Sequence, residues 1–205
     1  MISDKTIKTY DKISGHYSDT HYETTFWEKE FKIFQTLIKG KKIIDIGCGA
    51  GRDAEFFTTH GFNYTGIDAS KGLLAEAKKR LPHAKFILMD FYKLNFPPGS
   101  FDGFWASASL LHVPKRRLAA VLNQIRHIIK PQAIGFISVK EKMDMDEGII
   151  RESKYGGIER YFAFYDPPEF EKILENTGFT VIKHHTLIEN DIRKTKWLCY
   201  FVKKT

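Results

Sequence analysis

The sequence predicts an α/β protein, a three-layer and mostly parallel sheet wound with helices on both faces. Three observations predict it. Short apolar runs alternate with stretches whose apolar residues recur at helical spacing, the rhythm of repeated strand–helix units. The first run is nearly continuous, as a strand buried on both faces requires. It spans Lys42 to Ile46 and empties into a glycine-rich loop, KIIDIGCGAG, after which a helix begins.

Residues 1–40 precede that strand. Tyr10, His16, Tyr17 and Tyr22 lie in a polar stretch. FWEKEFKIFQTLI then sets Phe26, Trp27, Phe31, Phe34, Leu37 and Ile38 at helical spacing, so this helix packs on the sheet. Across 41–140 the reading is strand 42–46, helix 52–60, strand 63–67, helix 70–80 stopped by Pro82, and strand 85–89. Strand 101–106 follows, then a helix over 115–129 carried by Leu118, Val121, Leu122, Ile125 and Ile129. Pro131 closes it, and AIGFISVK is the fifth strand. An insertion, 141–165, ends in ERYFAFY. In 166–205, DPPEFEKILENTGF reads as a capped helix, with Asp166 at its start and Gly178 past its end. Strands near 180–188 and 196–203 pair as a hairpin. A length of 205 residues fits one domain with a sizeable core.

Composition narrows the function. Hydrophobic content of 42% suits a globular chain, and no apolar run approaches the ~18 residues of a membrane helix. Two cysteines in different contexts, Cys48 and Cys199, argue for a reducing, cytoplasmic setting. The net charge of +7 invites nucleic acid, but no compact basic run interleaved with aromatics is present. Solvated helix lysines account for it.

Asp45 sits near the end of the first strand, where it can reach a ligand. Gly47, Gly49 and Gly51 let the backbone approach a bound molecule closely. Cys48 between them is a small filler, and Arg52 opens the next helix. A dinucleotide fingerprint needs glycine where Arg52 stands, which argues against a nicotinamide oxidoreductase. The pattern D-x-G-x-G-x-G resembles the first motif of the class I S-adenosylmethionine-dependent methyltransferases, and further matches follow in order. Asp68 in YTGIDAS ends a second strand, Asp90 in FILMDF ends a third and precedes Phe91, and FDGFWASASLLHV is similar to the family's fourth strand and the loop beyond. The resemblance covers roughly residues 10–200. It implies a seven-stranded sheet with an antiparallel last strand and S-adenosylmethionine as cofactor. Asp68, with Ala69 and Ser70 beside it, would grip the ribose hydroxyls; Asp90 and Phe91 would hold adenine; Ala106 and Ser107 would border the site. YDKISGHYS resembles an N-terminal lid in which Tyr17, or else Tyr10, covers the cofactor.

Methyl transfer needs two reactants held in contact and water excluded. His112 is either a general base or a structural histidine. Trp105, Arg160 and Tyr165 are candidate walls of the pocket for a small-molecule acceptor. Lys115, Arg116, Arg117, Arg126, Lys130, Lys140 and Arg160 either favour an anionic acceptor or are solvated surface. No metal is expected, because 103–140 contains no carboxylate and His184 and His185 point to opposite faces of one strand. A non-catalytic cofactor-binding subunit is the alternative function. Oligomeric state stays open.

Overall fold

In the computed structural model, residues 2–22, 24–189 and 194–205 are described. The elements begin with α1 (Ile2–Thr20), a 3-10 turn (Thr24–Trp27), α2 (Glu28–Leu37), β1 (Lys42–Ile46), α3 (Arg52–Thr59), β2 (Asn63–Asp68), α4 (Lys71–Arg80) and β3 (Lys85–Leu88). There follow β4 (Phe101–Ser107), α5 (Lys115–Ile128), β5 (Ile129–Glu141), β6 (Glu147–Glu152), β7 (Ile158–Tyr165), α6 (Pro167–Asn176), β8 (Phe179–Ile188) and β9 (Lys196–Lys204). The strand boundaries read from sequence lie within a residue or two of these, apart from β5, which starts earlier. Pro131 and Gln132 fall inside it as an irregularity, Gln132 at φ 62°, and the register against β4 shifts there.

Strands β1 to β5 are parallel in the order β3-β2-β1-β4-β5, and β9 returns antiparallel along β5. The winding direction reverses between β1 and β4. In open α/β sheets that reversal leaves a crevice at the carboxyl ends of the two strands, where ligands bind.

Two differences from the sequence reading shape that crevice. The sheet has nine strands, not seven, because the insertion folds as the β6–β7 hairpin. Lys140 of β5 has Trp197 opposite on one side and Phe164 on the other. The hairpin therefore takes over the edge that β4 leaves beyond Ser107. The second difference is α1, which stands where a polar arm was expected. Ile7, Tyr10, Ile13 and Tyr17 recur at intervals of three and four residues, but the helix is polar overall, so the pattern is faint.

The core is an aromatic stack. Trp105 on β4 lies between Phe31 of α2 (centroids 4.6 Å apart) and Phe136 of β5 (4.0 Å). Asp102, at the start of β4, accepts from the backbone amides of Lys41 and Lys42 (3.0 and 2.9 Å) and pairs with Lys130, which pins β1 beside β4. Those contacts fix the two strands whose ends form the site.

Candidate active site

The loop leaving β1 folds back on β2. The amides of Gly47 and Cys48 both donate to the Ile67 carbonyl (2.8 and 2.9 Å). Gly47, Gly49 and Gly51 all have positive φ, which L side chains rarely adopt. At Gly49 a Cβ would meet no atom within 4 Å, so the backbone there faces open space that a ligand can fill. The Gly49 amide donates to Asp68 Oδ2 (2.9 Å) and the Ser70 amide to Oδ1 (2.8 Å). Each carboxylate oxygen keeps a second acceptor site, enough for two hydroxyl donors. Ser70 itself caps α4, accepting from the Leu73 amide.

These groups open onto a cavity beneath α1. Its lining holds Tyr17, Gly47, Cys48, Gly49, Arg52, Asp68, Ala69, Asp90, Phe91, Ser107 and His112 of the residues singled out from sequence. Tyr10, the second lid candidate, lines it too. Cys48 is inert here: burial and the neighbouring Asp45 and Asp68 carboxylates push its thiol well above the ordinary range.

His112 is held by a directed chain. Its Nδ1 lies 2.6 Å from the Tyr161 carbonyl, which can only accept, so the ring proton sits on Nδ1. Nε2 therefore carries the lone pair and accepts from Tyr10 Oη at 2.9 Å. Arg160 Nη1 donates to the same phenol oxygen (2.5 Å), and Arg160 is held in turn by Glu152 (2.5 Å). Burial, with the Arg160 charge close by, pulls the His112 pKa from 6.5 down to about 3. Burial likewise pushes Tyr10 above the usual phenol range. The pair is thus a neutral imidazole facing a protonated phenol at the cavity wall.

Several expected site residues are placed elsewhere. Trp105 is a correction: it points into the aromatic stack, fully buried, and donates to Asp53 Oδ2 (2.8 Å). Trp105 shares a face of β4 with Ser107 but lies two residues deeper, where Phe31 of α2 and Phe136 of β5 cover it. Tyr165 is another, buried between Phe170 and Lys115 and away from the cavity. Arg160 stands behind Tyr10 and Tyr17, 6% exposed, and is not part of the cavity lining. Asp45 lies under the glycine loop, where Tyr64 Oη donates to it (2.7 Å). Gly51 caps α3, and Ala106 and Ser70 are buried beside the lining without being part of it.

Four residues were missed. Asp53, 5% exposed, orients Arg52 (2.5 and 2.9 Å) and Trp105 together. Asp11 ties α1 to α4 through Ser70 Oγ (2.7 Å) and the Gly72 amide (2.9 Å). Ser109 Oγ and Tyr92 Oη line the cavity as buried polar atoms without a hydrogen-bond partner. Only Asp53 left a trace in the sequence, as a carboxylate in a first helical turn directly after the glycine loop.

A family model described as a methyltransferase domain matches residues 43–132, the segment from β1 into β5. Over that segment, somewhat under half of its length, the chain is similar to methyltransferase domains. An O-methyltransferase of Aspergillus sclerotiorum is 30% identical over 180 residues, covering 80% of this chain and 63% of its own length. A sterol 24-C-methyltransferase of Gibberella zeae is 28% identical over 173 residues, with 77% and 44% covered. The chain thus spans between about two fifths and two thirds of these curated relatives. Among solved structures, a Burkholderia thailandensis 1,6-didemethyltoxoflavin-N1-methyltransferase, with that compound and S-adenosylhomocysteine bound, superposes with a TM-score of 0.76. It is 20% identical over 97% of this chain and 88% of that one. The fold is also that of a [4+2]-cyclase (TM-score 0.67, 16% identical, 86% and 80% covered), so the family fold alone does not name a reaction.

No helix among the described residues is long and apolar enough to cross a membrane.

Proposed function

We propose that the chain transfers a methyl group from S-adenosylmethionine to a hydroxyl of an uncharged small-molecule acceptor, with His112 as general base. One observation carries this reading. The glycine loop, open at Gly49, together with Asp68 and Asp90 with Phe91, lines the same cavity as a histidine whose Nε2 lone pair faces a phenol. The residues fit the cofactor. Gly49 leaves a cradle that a side chain would fill, and Asp68 retains acceptor capacity for two ribose hydroxyls. The bound cofactor would supply the electrophilic methyl group. Asp90 would accept from an adenine amino group, with Phe91 as an apolar wall.

The chain's own part is orientation and one proton. As the acceptor oxygen is alkylated its proton becomes far more acidic than an imidazolium, so a histidine held near pKa 3 still takes it. Tyr10 stands between, donating its own proton to Nε2 while its oxygen accepts the next. The Tyr161 carbonyl holds the ring in the one tautomer that leaves Nε2 free to receive.

The pairing of several cations supports a neutral acceptor over an anionic one, which was one of the two alternatives the sequence left open. Lys115 is bound by Asp146 and Glu169, Arg160 by Glu152, Lys130 by Asp102 and Arg52 by Asp53. Arg117 lies on the Tyr92 ring (3.7 Å). The name of the O-methyltransferase relative supports oxygen as the accepting atom. Two free buried cysteines support a cytoplasmic setting. In this reading residues 1–205 act as one domain, 1–40 as lid and helix, 41–140 as cofactor core, 141–165 as acceptor side and 166–205 as C-terminal helix and hairpin.

Calorimetry with S-adenosylhomocysteine, then methyl release over hydroxylated compounds paired with their carboxylated analogues, tests it. Binding of the product cofactor and turnover confined to neutral members are expected. No heat of binding ends the cofactor reading, and equal turnover of both members ends the neutral-acceptor reading.

A further inference from the structure

A second polar cluster lies apart from the cavity, between α2 and the β8–β9 hairpin. His185 and Cys199 are directly opposite each other across the two antiparallel strands. Glu30, in the otherwise apolar face that α2 turns inward with Phe31 and Phe34, reaches them. One ligand atom from each of the three falls within 4.8 Å of the other two. Glu30 and Cys199 are 0% exposed, and the His185 side chain is 20% exposed, so the cluster is closed on all but one side.

As a hydrogen-bonded pair alone the cluster is poorly satisfied. Glu30 Oε1 accepts from His185 Nε2 (2.7 Å), but Oε2 is buried without a partner, and so is His185 Nδ1. A buried carboxylate with an empty oxygen is among the costlier arrangements a core can hold. The Cys199 thiol has only a long contact to the Trp197 carbonyl (3.7 Å). His184 turns the other way, toward Glu171 (3.6 Å). The two histidines therefore do not share an ion, but His185 meets a carboxylate and a thiol instead.

We propose that Glu30, His185 and Cys199 bind one thiophilic divalent cation of the zinc type, clamping α2 to the β8–β9 hairpin. Sulfur, imidazole nitrogen and carboxylate oxygen form a zinc-type donor set rather than a calcium- or magnesium-type one. Three protein ligands leave a fourth position, which water can fill from the side where His185 is exposed. Zinc–ligand lengths of about 2.0–2.3 Å put tetrahedral ligand atoms roughly 3.3–3.8 Å apart. The 2.7 Å Glu30–His185 hydrogen bond therefore opens to admit the ion, while more distant ligand atoms, up to 4.8 Å apart, close by roughly 1 Å. Coordination is redox-neutral. The Cys199 thiol proton leaves to solvent, the His185 proton sits on the ring nitrogen that does not coordinate, and Glu30 binds as carboxylate.

The test uses the full chain, purified reduced and without chelator, titrated with cobalt(II) and then with zinc. One ion per chain is expected, with a thiolate-to-cobalt charge-transfer absorption that zinc abolishes. Cys199→Ser should lose that absorption, and Cys48→Ala, altering the one other cysteine, should keep it. Removing a ligand in His185→Asn should weaken cobalt binding by at least about tenfold. Absence of the absorption in the wild-type chain, or its survival in Cys199→Ser, overturns the proposal. Neither outcome touches the methyl-transfer reading, because the readout involves neither the cofactor nor the cavity.

Discussion

At the scale of the residue, His112 is defined by what surrounds it rather than by its own chemistry. An exposed histidine titrates near 6.5 and would place an acid limb in the middle of a pH–rate profile. Held near 3, His112 stays neutral throughout, so kcat/KM should show no limb from it between about pH 5 and 8. Replacing His112 by alanine should lower kcat by about 10²-fold or more with KM little moved. Arg160 provides the sharper check. Burial is the larger cause of the low pKa, and the Arg160 charge adds to it by opposing the imidazolium. Arg160→Met should therefore raise the His112 pKa part of the way while burial still holds it below 6.5, visible in the ring-proton titration by NMR. An unmoved titration would show that Arg160 does not set it. Asp68 is the matching case on the cofactor side. Asp68→Asn keeps an oxygen for the loop but loses the charge, and affinity for S-adenosylhomocysteine should fall about tenfold. Asp68→Ala would also release the Gly49 and Ser70 amides, so loss of fold and loss of ligand would mix.

At the scale of the element, α1 is the part that must move, because it roofs the cavity. Its attachments are polar: Asp11 to α4, Lys5 and Thr9 to Glu159, Thr6 Oγ1 accepting from the Tyr161 amide, and Arg80 to Ser18 and Asp19. Such contacts are individually weak and exchangeable with water, which suits a lid. Gly72 is where the lid touches down. A Cβ there would come within 2.8 Å of Ser14 Oγ and 2.9 Å of the Asp11 carbonyl oxygen. Gly72→Ala should therefore lift α1, weakening S-adenosylhomocysteine about tenfold and speeding proteolysis within residues 2–20. Unchanged affinity and cleavage would mean that α1 is not the lid. The same helix marks the limit of what the sequence made legible. Strand ends at Asp68 and Asp90 were readable because glycines and acidic residues interrupt apolar runs. α1 was not, because its inward face pairs tyrosines with threonine and aspartate, and its partners lie more than fifty positions away. Trp105 failed for a related reason: an aromatic near a strand end can face the crevice or the core, and only α2 packing on that face decides it.

At the scale of the whole molecule, two buried groups tilt stability against pH in opposite directions. His112 binds fewer protons folded than unfolded between about pH 3 and 6.5, so its contribution to stability rises with pH across that window. Asp45 behaves in reverse. Burial, reinforced by the Asp53 charge, raises its pKa well above 3.8, so the folded state holds a proton that the unfolded chain has released, and stability falls as pH rises from there. The two groups belong to adjoining parts of one structure, Asp45 under the glycine loop and His112 on the cavity wall beyond it. Their slopes therefore partly cancel in the intact chain, and single substitutions should separate them. With urea unfolding measured between pH 4 and 6.5, Asp45→Asn removes the descending component and should make stability climb more steeply with pH than in the parent. Asparagine can still accept from Tyr64, so the local bond survives. His112→Gln removes the ascending component and should flatten or invert the climb. Slopes in the opposite order would mean that His112 is charged in the folded state or that Asp45 is ionised there, and the directed hydrogen-bond chain from Arg160 through Tyr10 to His112 would have to be redrawn.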